Sequence, residues 1–224
     1  MATVTPVPTI YYPESDGKPM AETDIHRQIM IDMIEALGGY FRADPLVYVS
    51  GNLLLYYEEG NPRKSVAPDT FVVFGVPKRR RRTYKLWEEE QAPAVVFEIT
   101  SASTREEDLG EKRELYATLG VREYFLFDPL EDYLQPSLQG YELVEGEYLP
   151  LPADAAGHLV SRTLRLRLER EGERLRLVGV TTGERLLWAD EEAAARRALE
   201  VELAQLRAEV ARLRSRSSSD EGSP

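Results

Sequence analysis

The segment Val95-Val-Phe-Glu98-Ile-Thr-Ser101 carries one carboxylate near the end of an apolar run. The run is short, consists of β-branched and aromatic residues and follows a proline, which is typical of a buried strand. A second run of this kind, Thr70-Phe-Val-Val-Phe74, begins directly after Pro68 and Asp69. We therefore predict two buried strands, each with an acidic residue at its edge.

Asp69 and Glu98 are candidate metal ligands because of these positions. Carboxylate oxygens are the ligands that hard cations such as Mg²⁺ prefer, and two carboxylates on adjacent strands can share one ion. If they do, the chain is a metal-dependent enzyme that acts on phosphodiesters. The alternative is that each carboxylate only ends its strand at the protein surface.

Composition narrows the class of protein. The chain has 224 residues, 42% of them hydrophobic, which is enough for one domain with a real core and an appendage. It has no cysteine, so disulfides and thiolate metal sites are excluded, and its two histidines argue against a zinc site. No apolar stretch approaches the roughly 18 residues that span a membrane, and the first residues lack the features of a signal peptide. We therefore expect a cytoplasmic protein.

The charge of the chain is acidic overall but has one basic exception. A net charge of −11 argues against a protein that coats nucleic acid by bulk charge, although it does not exclude a nuclease, where local charge decides. The exception is the basic run Lys78, Arg79, Arg80, Arg81 and Arg82. These side chains are candidates for contacts with DNA phosphates. The alternative is a solvated loop that pairs with Glu88-Glu-Glu90.

The order of the patterns predicts the fold class. Helical patterns over residues 22–38 and Ser103–Leu119 alternate with strand patterns, and Tyr124-Phe-Leu-Phe-Asp128 forms a further buried strand. This order is typical of an α/β fold with a mixed sheet flanked by helices. Beyond residue 130, short alternating runs predict extra β-hairpins that extend the core.

The chain divides into four predicted segments. Residues 1–20 are Pro-rich and form an extended lead-in, and residues 21–190 form the main domain with its hairpins. Residues 191–214 form a helix, and the Ser-rich residues 215–224 form a disordered tail. The helix has apolar residues at heptad spacing, which are Leu199, Leu203, Leu206, Val210 and Leu213. We predict that it mediates homo-oligomerisation, as a dimer; the alternative is that it folds back on its own domain.

Lys112 is the candidate basic residue of the site. The periodicity of its helix places Asp108, Lys112 and Tyr116 on one face, which is apolar towards its C-terminal end and should pack on the sheet. A lysine on that face could hold the attacking water or stabilise charge on a phosphate. The alternative is a solvated lysine paired with Asp108.

Four motifs follow one another within residues 20–152. They are Pro68-Asp69, Val95-Val-Phe-Glu98-Ile-Thr-Ser101, Asp108-x-x-x-Lys112-x-x-x-Tyr116 and Gly120-Val-Arg-Glu-Tyr-Phe-Leu-Phe-Asp-Pro129. Together they resemble the Uma-two family of restriction endonucleases, which belongs to the PD-(D/E)XK nuclease superfamily. The resemblance implies a restriction-endonuclease-like core and hydrolysis of DNA phosphodiesters by water activated on Mg²⁺ or Mn²⁺.

The resemblance also implies roles for single residues. Asp69 and Glu98 would bind the ion, with the backbone carbonyl of Ile99 as a third ligand. The usual lysine of the superfamily lies two residues after the second acid, where this chain has Thr100. Lys112 on the adjacent helix would supply the missing cation.

Three further residues have weaker assignments. Glu22 is a metal ligand by its position at the first helix, or else a favourable charge at a helix N-terminus. Ser101 either orients Glu98 or ends the strand, and Tyr116 is expected to support the site. His26 shares a face with apolar residues and is expected to be packed or hydrogen-bonded rather than a ligand.

The sequence therefore predicts a Mg²⁺-dependent endonuclease that hydrolyses DNA phosphodiesters. The rival prediction is a catalytically inactive protein on a nuclease scaffold that binds nucleic acid or assembles. Thr100 at the usual lysine position and the acidic net charge favour the rival.

Overall fold

The computed structural model describes residues 10–15, 17 and 23–220, with side chains described as far as residue 212. Most of the predicted lead-in over residues 1–20 lies outside these residues, and so does Glu22. The chain divides into two compact units, Met1–Leu186 and Leu187–Pro224. No helix of the described residues is long and apolar enough to cross a lipid bilayer.

The helices and strands of the described residues alternate along the chain. The helices are Asp24–Tyr40 (α1), Leu86–Glu89 (α2), Arg105–Leu109 (α3), Glu111–Thr118 (α4) and Ala189–Asp220 (α5). The first strands are Val47–Ser50 (β1), Leu55–Tyr56 (β2), Ser65–Val66 (β3), Thr70–Phe74 (β4), Tyr84–Lys85 (β5), Val95–Ile99 (β6) and Glu123–Phe127 (β7). The remaining strands are Leu138–Val144 (β8), Glu147–Pro150 (β9), Leu159–Ser161 (β10), Leu166–Glu171 (β11) and Arg174–Gly179 (β12).

A mixed sheet forms the centre of the first unit. Within the described residues its strand order is β1-β4-β6-β7-β8-β9, and β6 runs parallel to β7 while the other pairs are antiparallel. A parallel pair requires a crossover connection, which α3 and α4 supply. The predicted α/β class with a mixed sheet and flanking helices is confirmed.

Side-chain alternation along the central strands separates two hydrophobic cores. Val95, Phe97 and Ile99 of β6 join the core beneath α1 and the three-stranded sheet β10-β11-β12. Val96 lies in the second core, with Tyr116 of α4 and the small sheet β3-β2-β5. Because successive residues of a strand point to opposite faces, Glu98 lies on the same face as Val96. This face is the one that α4 covers.

Helix α1 buries its apolar face on the sheet, as its periodicity predicts. Ile29, Met33 and Leu37 are buried, and the side-chain oxygen of Thr23 caps the helix by accepting from the backbone N–H of His26. The predicted end at Gly38 is wrong, because the helix continues to Tyr40. A glycine lowers helix propensity by only about 1 kcal/mol, and the helical hydrogen bonding continues to the bond from the N–H of Phe41 to the carbonyl of Leu37.

The predicted helix over Ser103–Leu119 is broken in two. Gly110 has φ −113° and ψ −97° and separates α3 from α4. Thr104 is the N-cap residue of α3 and makes no side-chain cap bond. Its hydroxyl accepts from the backbone N–H of Ser101 instead, which tightens the turn between β6 and α3.

The β-hairpins form where the alternating runs predict them. Strands β8 and β9 pair around a turn, and Leu168 of β11 lies opposite Leu177 of β12. In the second unit, α5 begins at Ala189 and continues to Asp220, six residues past the predicted end at 214. Residues 221–224 of the predicted disordered tail lie outside the described residues.

Candidate active site

The ends of two adjacent strands bring Asp69 and Glu98 together. Thr70 of β4 lies opposite Phe97 of β6 in an antiparallel pair, so the residue before Thr70 faces the residue after Phe97. Oδ2 of Asp69 accepts a hydrogen bond of 2.7 Å from the backbone N–H of Ile99. This bond fixes the Asp69 carboxylate beside the end of β6.

Gly51 allows the backbone to approach Asp69 closely. A Cβ atom at position 51 would lie 2.0 Å from the carbonyl oxygen of Asp69. The next residue, Asn52, donates its backbone N–H to the carbonyl of Pro68 at 2.8 Å. The segment after β1 thus holds the Pro68-Asp69 backbone in place, and a side chain at position 51 would push it away.

Both carboxylate oxygens of Glu98 have hydrogen-bond partners from α4. The side chain of Glu98 is buried. Its Oε1 accepts a hydrogen bond of 2.6 Å from the hydroxyl of Tyr116, and its Oε2 accepts one of 3.0 Å from Nζ of Lys112. Lys112 and Tyr116 are four residues apart, so they project from the same face of α4. The helix therefore presents both donors to one carboxylate.

Asp108 is a third acidic side chain at this point. It is 0% exposed and its Oδ1 lies 2.8 Å from Nζ of Lys112. The hydroxyl of Tyr124 donates a hydrogen bond of 2.9 Å to the backbone carbonyl of Asp108. This bond connects strand β7 to helix α3, just before the break at Gly110. The sequence predicted the pair Asp108–Lys112 as a solvated alternative, whereas the structure shows it buried beside Glu98.

The pKa values of these groups reflect burial and mutual charge. Burial raises the pKa of Glu98 well above its usual range, and the charges of Asp69 and Asp108 add to the rise while Lys112 opposes it. Burial also raises the pKa of Asp108. For Lys112, burial acts to lower the pKa, but the charges of Glu98 and Asp108 outweigh it and raise the pKa above its ordinary value. Lys112 is therefore a cation at neutral pH.

His26 reaches the site from the opposite side of the sheet. Its Nε2 lies 3.1 Å from Oδ1 of Asp69, and its side chain is largely buried in helix α1. His26 is hydrogen-bonded or packed, as its helix face predicts, but nothing in the local pattern indicates Asp69 as its partner. The two residues are 43 positions apart, and only the packing of α1 on the sheet brings them together.

The donor chemistry of the site suits a hard divalent cation. Asp69 and Glu98 supply carboxylate oxygens, and the buried hydroxyl of Thr100 has no hydrogen-bond partner among the described residues. Two carboxylates, those of Glu98 and Asp108, contact Lys112, so their negative charge exceeds the charge of that lysine, and the charge of Asp69 acts on it as well. Within the described residues, no group of three or more His, Cys, Asp or Glu side chains is arranged as a metal site. The residues present thus fit Mg²⁺ or Mn²⁺ through two carboxylates and additional neutral oxygens.

Of the remaining predicted site residues, two contact Asp69 or Glu98 directly. Tyr116 contacts Glu98, and the backbone of Ile99 contacts Asp69. Ser101 lies next to the site, where its hydroxyl bonds to Thr104 and Ser103. Glu22 is outside the described residues.

Most of the basic run is engaged by the protein itself. Arg79 and Arg81 both form ion pairs with Glu89 at 2.8 Å. The ammonium of Lys78 donates hydrogen bonds to the backbone carbonyls of Phe41 and Arg42, just after α1. Arg82 forms an ion pair with Glu14. The side chain of Arg81 is 3% exposed, and its guanidinium lies 4.1 Å from the centre of the Tyr48 ring. The predicted alternative of pairing with Glu88-Glu-Glu90 therefore describes Arg79 and Arg81, through Glu89. Arg80 is exposed.

Asp128 organises a loop at the end of β7. Its carboxylate accepts backbone N–H groups from Leu130, Tyr133 and Leu134 at 3.1, 2.6 and 2.9 Å. A carboxylate that accepts several backbone N–H groups satisfies donors that a loop would otherwise bury unpaired. The Asp128-Pro129 pair of the fourth motif thus has a structural role in this chain.

Comparisons with known proteins give a family match and a similar solved structure. The chain matches a family model described as Uma2, putative restriction endonuclease, over residues 8–176. Among solved structures it is similar to a putative nuclease of DUF820 from Anabaena variabilis, with a TM-score of 0.48 and 15% sequence identity, covering 67% of this chain and 81% of that one. No curated protein matches the sequence.

Proposed function

Because this chain belongs to the Uma2 family of putative restriction endonucleases, we propose that it is a Mg²⁺- or Mn²⁺-dependent endonuclease that hydrolyses DNA phosphodiesters. One observation carries the proposal, namely the excess of negative charge around Lys112. Glu98 and Asp108 contact this lysine, the charge of Asp69 acts on it as well, and burial raises the pKa of Glu98. A divalent cation beside the carboxylates would offset both the charge and the cost of burying it.

Each residue has a defined task in this proposal. Asp69 and Glu98 hold the ion, with the carbonyl of Ile99 as a further ligand. When bound, the ion lowers the pKa of a water molecule and offsets charge on the phosphate. The charges of Glu98 and Asp108 raise the pKa of Lys112 and favour its protonated form, so we do not assign it the role of general base. Its ammonium instead donates hydrogen bonds to the phosphate oxygens as charge develops on them.

Supporting residues keep these groups in position. Tyr116 orients Glu98 through Oε1, and Asp108 holds the ammonium of Lys112 beside Oε2. His26 and the N–H of Ile99 hold the two oxygens of Asp69. An active site needs side chains that are fixed before the substrate arrives, and these contacts fix three of them, namely Asp69, Glu98 and Lys112.

Helix α5 supports a proposal for assembly. Leu199, Leu203, Leu206 and Val210 are exposed large apolar residues at heptad spacing. An exposed stripe of this kind is typical of an interaction surface. We propose that two copies of the chain pair through it, which would give a dimer with two sites for the two strands of DNA.

A second candidate function is a nucleic-acid-binding or assembly protein without catalytic activity. Each carboxylate oxygen of Glu98 already accepts a hydrogen bond, one from Lys112 and one from Tyr116. This arrangement favours the protein without catalytic activity, because the carboxylate is balanced without a metal ion. Thr100 at the usual lysine position favours it as well.

A cleavage assay separates the two candidates. Purified protein is incubated with supercoiled plasmid and with single-stranded DNA, in Mg²⁺, Mn²⁺ or EDTA. The proposed endonuclease nicks or linearises DNA with a divalent ion and not with EDTA. Intact DNA under every condition, together with DNA binding, would select the second candidate.

A further inference from the structure

A cleft beside the candidate active site has a volume of about 500 Å³. Its lining includes Pro13, Tyr56, Arg63, Ser65, Glu107 and Lys112, and we call it the Lys112 cleft. Lys112 also contacts Glu98, so the cleft opens onto the residues proposed to cut the phosphodiester. The segment Ser65–Ala67 in its wall leads directly to Pro68 and Asp69.

The walls of the Lys112 cleft are held by specific contacts. The hydroxyl of Tyr56 donates a hydrogen bond of 2.6 Å to the backbone carbonyl of Pro13. The hydroxyl of Tyr12 accepts a hydrogen bond of 2.6 Å from the backbone N–H of Gly60. The Tyr12 ring also packs edge-on against the Tyr56 ring, with the centroids 5.0 Å apart. Residues 12 and 13 therefore form a fixed wall against the sheet β3-β2-β5.

Arg63 is the available cation of this cleft. Its side chain is exposed, lines the cleft and has no ion-pair partner among the described residues. Lys112 is already bound to Glu98 and Asp108, and Glu107 is acidic. A guanidinium presents a planar set of donors that matches two phosphate oxygens at once. An anion in the cleft could therefore contact Arg63 as well as Lys112.

We propose that the Lys112 cleft binds the sugar-phosphate backbone of one DNA strand, with Arg63 as the ligand of a phosphate next to the scissile one. This inference rests on the proposed function for its choice of DNA. The volume falls within the range of about 300–1,000 Å³ of small-ligand sites, so the cleft encloses a short stretch of one strand rather than a duplex. The basic run, which the sequence predicts to contact DNA, follows β4 in the chain, whereas Arg63 precedes β4. Arg63 is thus a further candidate cation for DNA binding.

The test compares two cations that are neighbours in sequence. Arg63→Ala removes the cleft cation, and Lys64→Ala removes an exposed charge that does not line the cleft. Binding of a fluorescein-labelled single-stranded DNA to the full-length variants is followed by fluorescence anisotropy in EDTA over a range of salt concentrations. No cleavage is needed for this measurement.

The expected result is a loss of affinity of about tenfold for Arg63→Ala, the scale of one charged hydrogen-bonded contact. The slope of log K against log salt should also fall by about 0.7, the value for one phosphate of a single strand. Lys64→Ala should leave both quantities nearly unchanged. Equal effects of the two substitutions, or no DNA binding by the unsubstituted protein, would overturn the proposal.

The outcome for the cleft is separable from the outcome for catalysis. If DNA binding requires Arg63 but no divalent ion supports cleavage, the cleft assignment stands and the endonuclease proposal fails. If the protein cleaves DNA but binding does not depend on Arg63, the endonuclease proposal stands and the cleft assignment fails.

Discussion

The ammonium of Lys112 lies 3.0 Å from Oε2 of Glu98, although one residue belongs to helix α4 and the other to strand β6. Asp108 contacts the same ammonium from α3, on the other side of the break at Gly110. A buried cation with two buried acidic partners is costly unless every charge is compensated. A substitution that removes the charge of Lys112 or of Glu98 should therefore change the stability of the domain.

Loss of Lys112 should destabilise the protein when no divalent ion is present. In EDTA, Lys112→Met leaves Glu98 and Asp108 without their cation and should cost about 3 kcal/mol, or roughly 10 °C in Tm for a domain of this size. Mg²⁺ should raise the Tm of this variant more than that of the unsubstituted protein. Differential scanning fluorimetry measures both effects. Lys64→Met is the control, and equal Tm values for the two variants would contradict the prediction.

Asp69→Asn or Glu98→Gln should abolish cleavage, because each substitution removes a charged ligand at nearly constant volume. The fold should remain, which circular dichroism can verify, and Mn²⁺ binding measured by electron paramagnetic resonance should weaken at least tenfold. Glu106→Gln, an exposed residue of α3, is the matched control and should cleave normally. Normal cleavage by the Asp69→Asn protein would refute the assignment of the site.

Gly51→Ala should weaken metal binding without changing any ligand. The added Cβ would meet the carbonyl of Asp69 at 2.0 Å, so the backbone of that residue must move. Gly38→Ala is a suitable control because a Cβ there meets no atom within 4 Å, and alanine favours the helix by about 0.5–1 kcal/mol. Mn²⁺ titration of the two variants checks this; unchanged affinity in Gly51→Ala would show that Asp69 tolerates the shift.

Glu89→Gln should lower stability at neutral pH and lose that effect in acid. The hydrogen bond from Arg81 lowers the pKa of Glu89, so the folded state binds its proton more weakly than the unfolded state. The stabilisation is present above the unfolded pKa of about 4.3 and disappears as pH falls through the lower folded value.

Urea unfolding at pH 7 should show a loss of about 3 kcal/mol for Glu89→Gln, because Arg81 stays buried without its partner. Glu88→Gln, which removes the partner of Lys85 from an exposed position, should cost under about 1 kcal/mol. A difference between Glu89→Gln and the unsubstituted protein that persists below pH 3 would exclude the ion pair as its cause.

Helix α5 should control the oligomeric state. Leu206→Lys places a charge on the apolar stripe and should convert a dimer to a monomer, as measured by light scattering at several concentrations. Ala208→Lys adds the same charge two residues away, off the stripe, and should leave the mass unchanged. A monomeric mass for the unsubstituted protein would show that the stripe does not mediate self-association.

Local sequence patterns were enough to predict the central strands β4, β6 and β7, the helices α1 and α5, and which acidic residues are candidate ligands. Asp69 and Glu98 adjoin runs whose composition specifies a buried strand, and Lys112 and Tyr116 lie four residues apart on a helix face. These signals are local, because the periods of strands and helices are properties of neighbouring residues. The heptad spacing of α5 is a signal of the same kind.

Which of these side chains contact one another depends on how the strands and helices pack. The contact of His26 with Asp69 spans two elements 43 positions apart, and the capture of Arg81 by Glu89 depends on how the loop after β4 folds back. The sequence could not show that the Asp108–Lys112 pair is buried beside Glu98, or that Arg63 and Lys112 line one cleft. Such contacts follow from strand register and helix packing, which arise from the burial of many side chains at once and leave no periodic signal in a short segment.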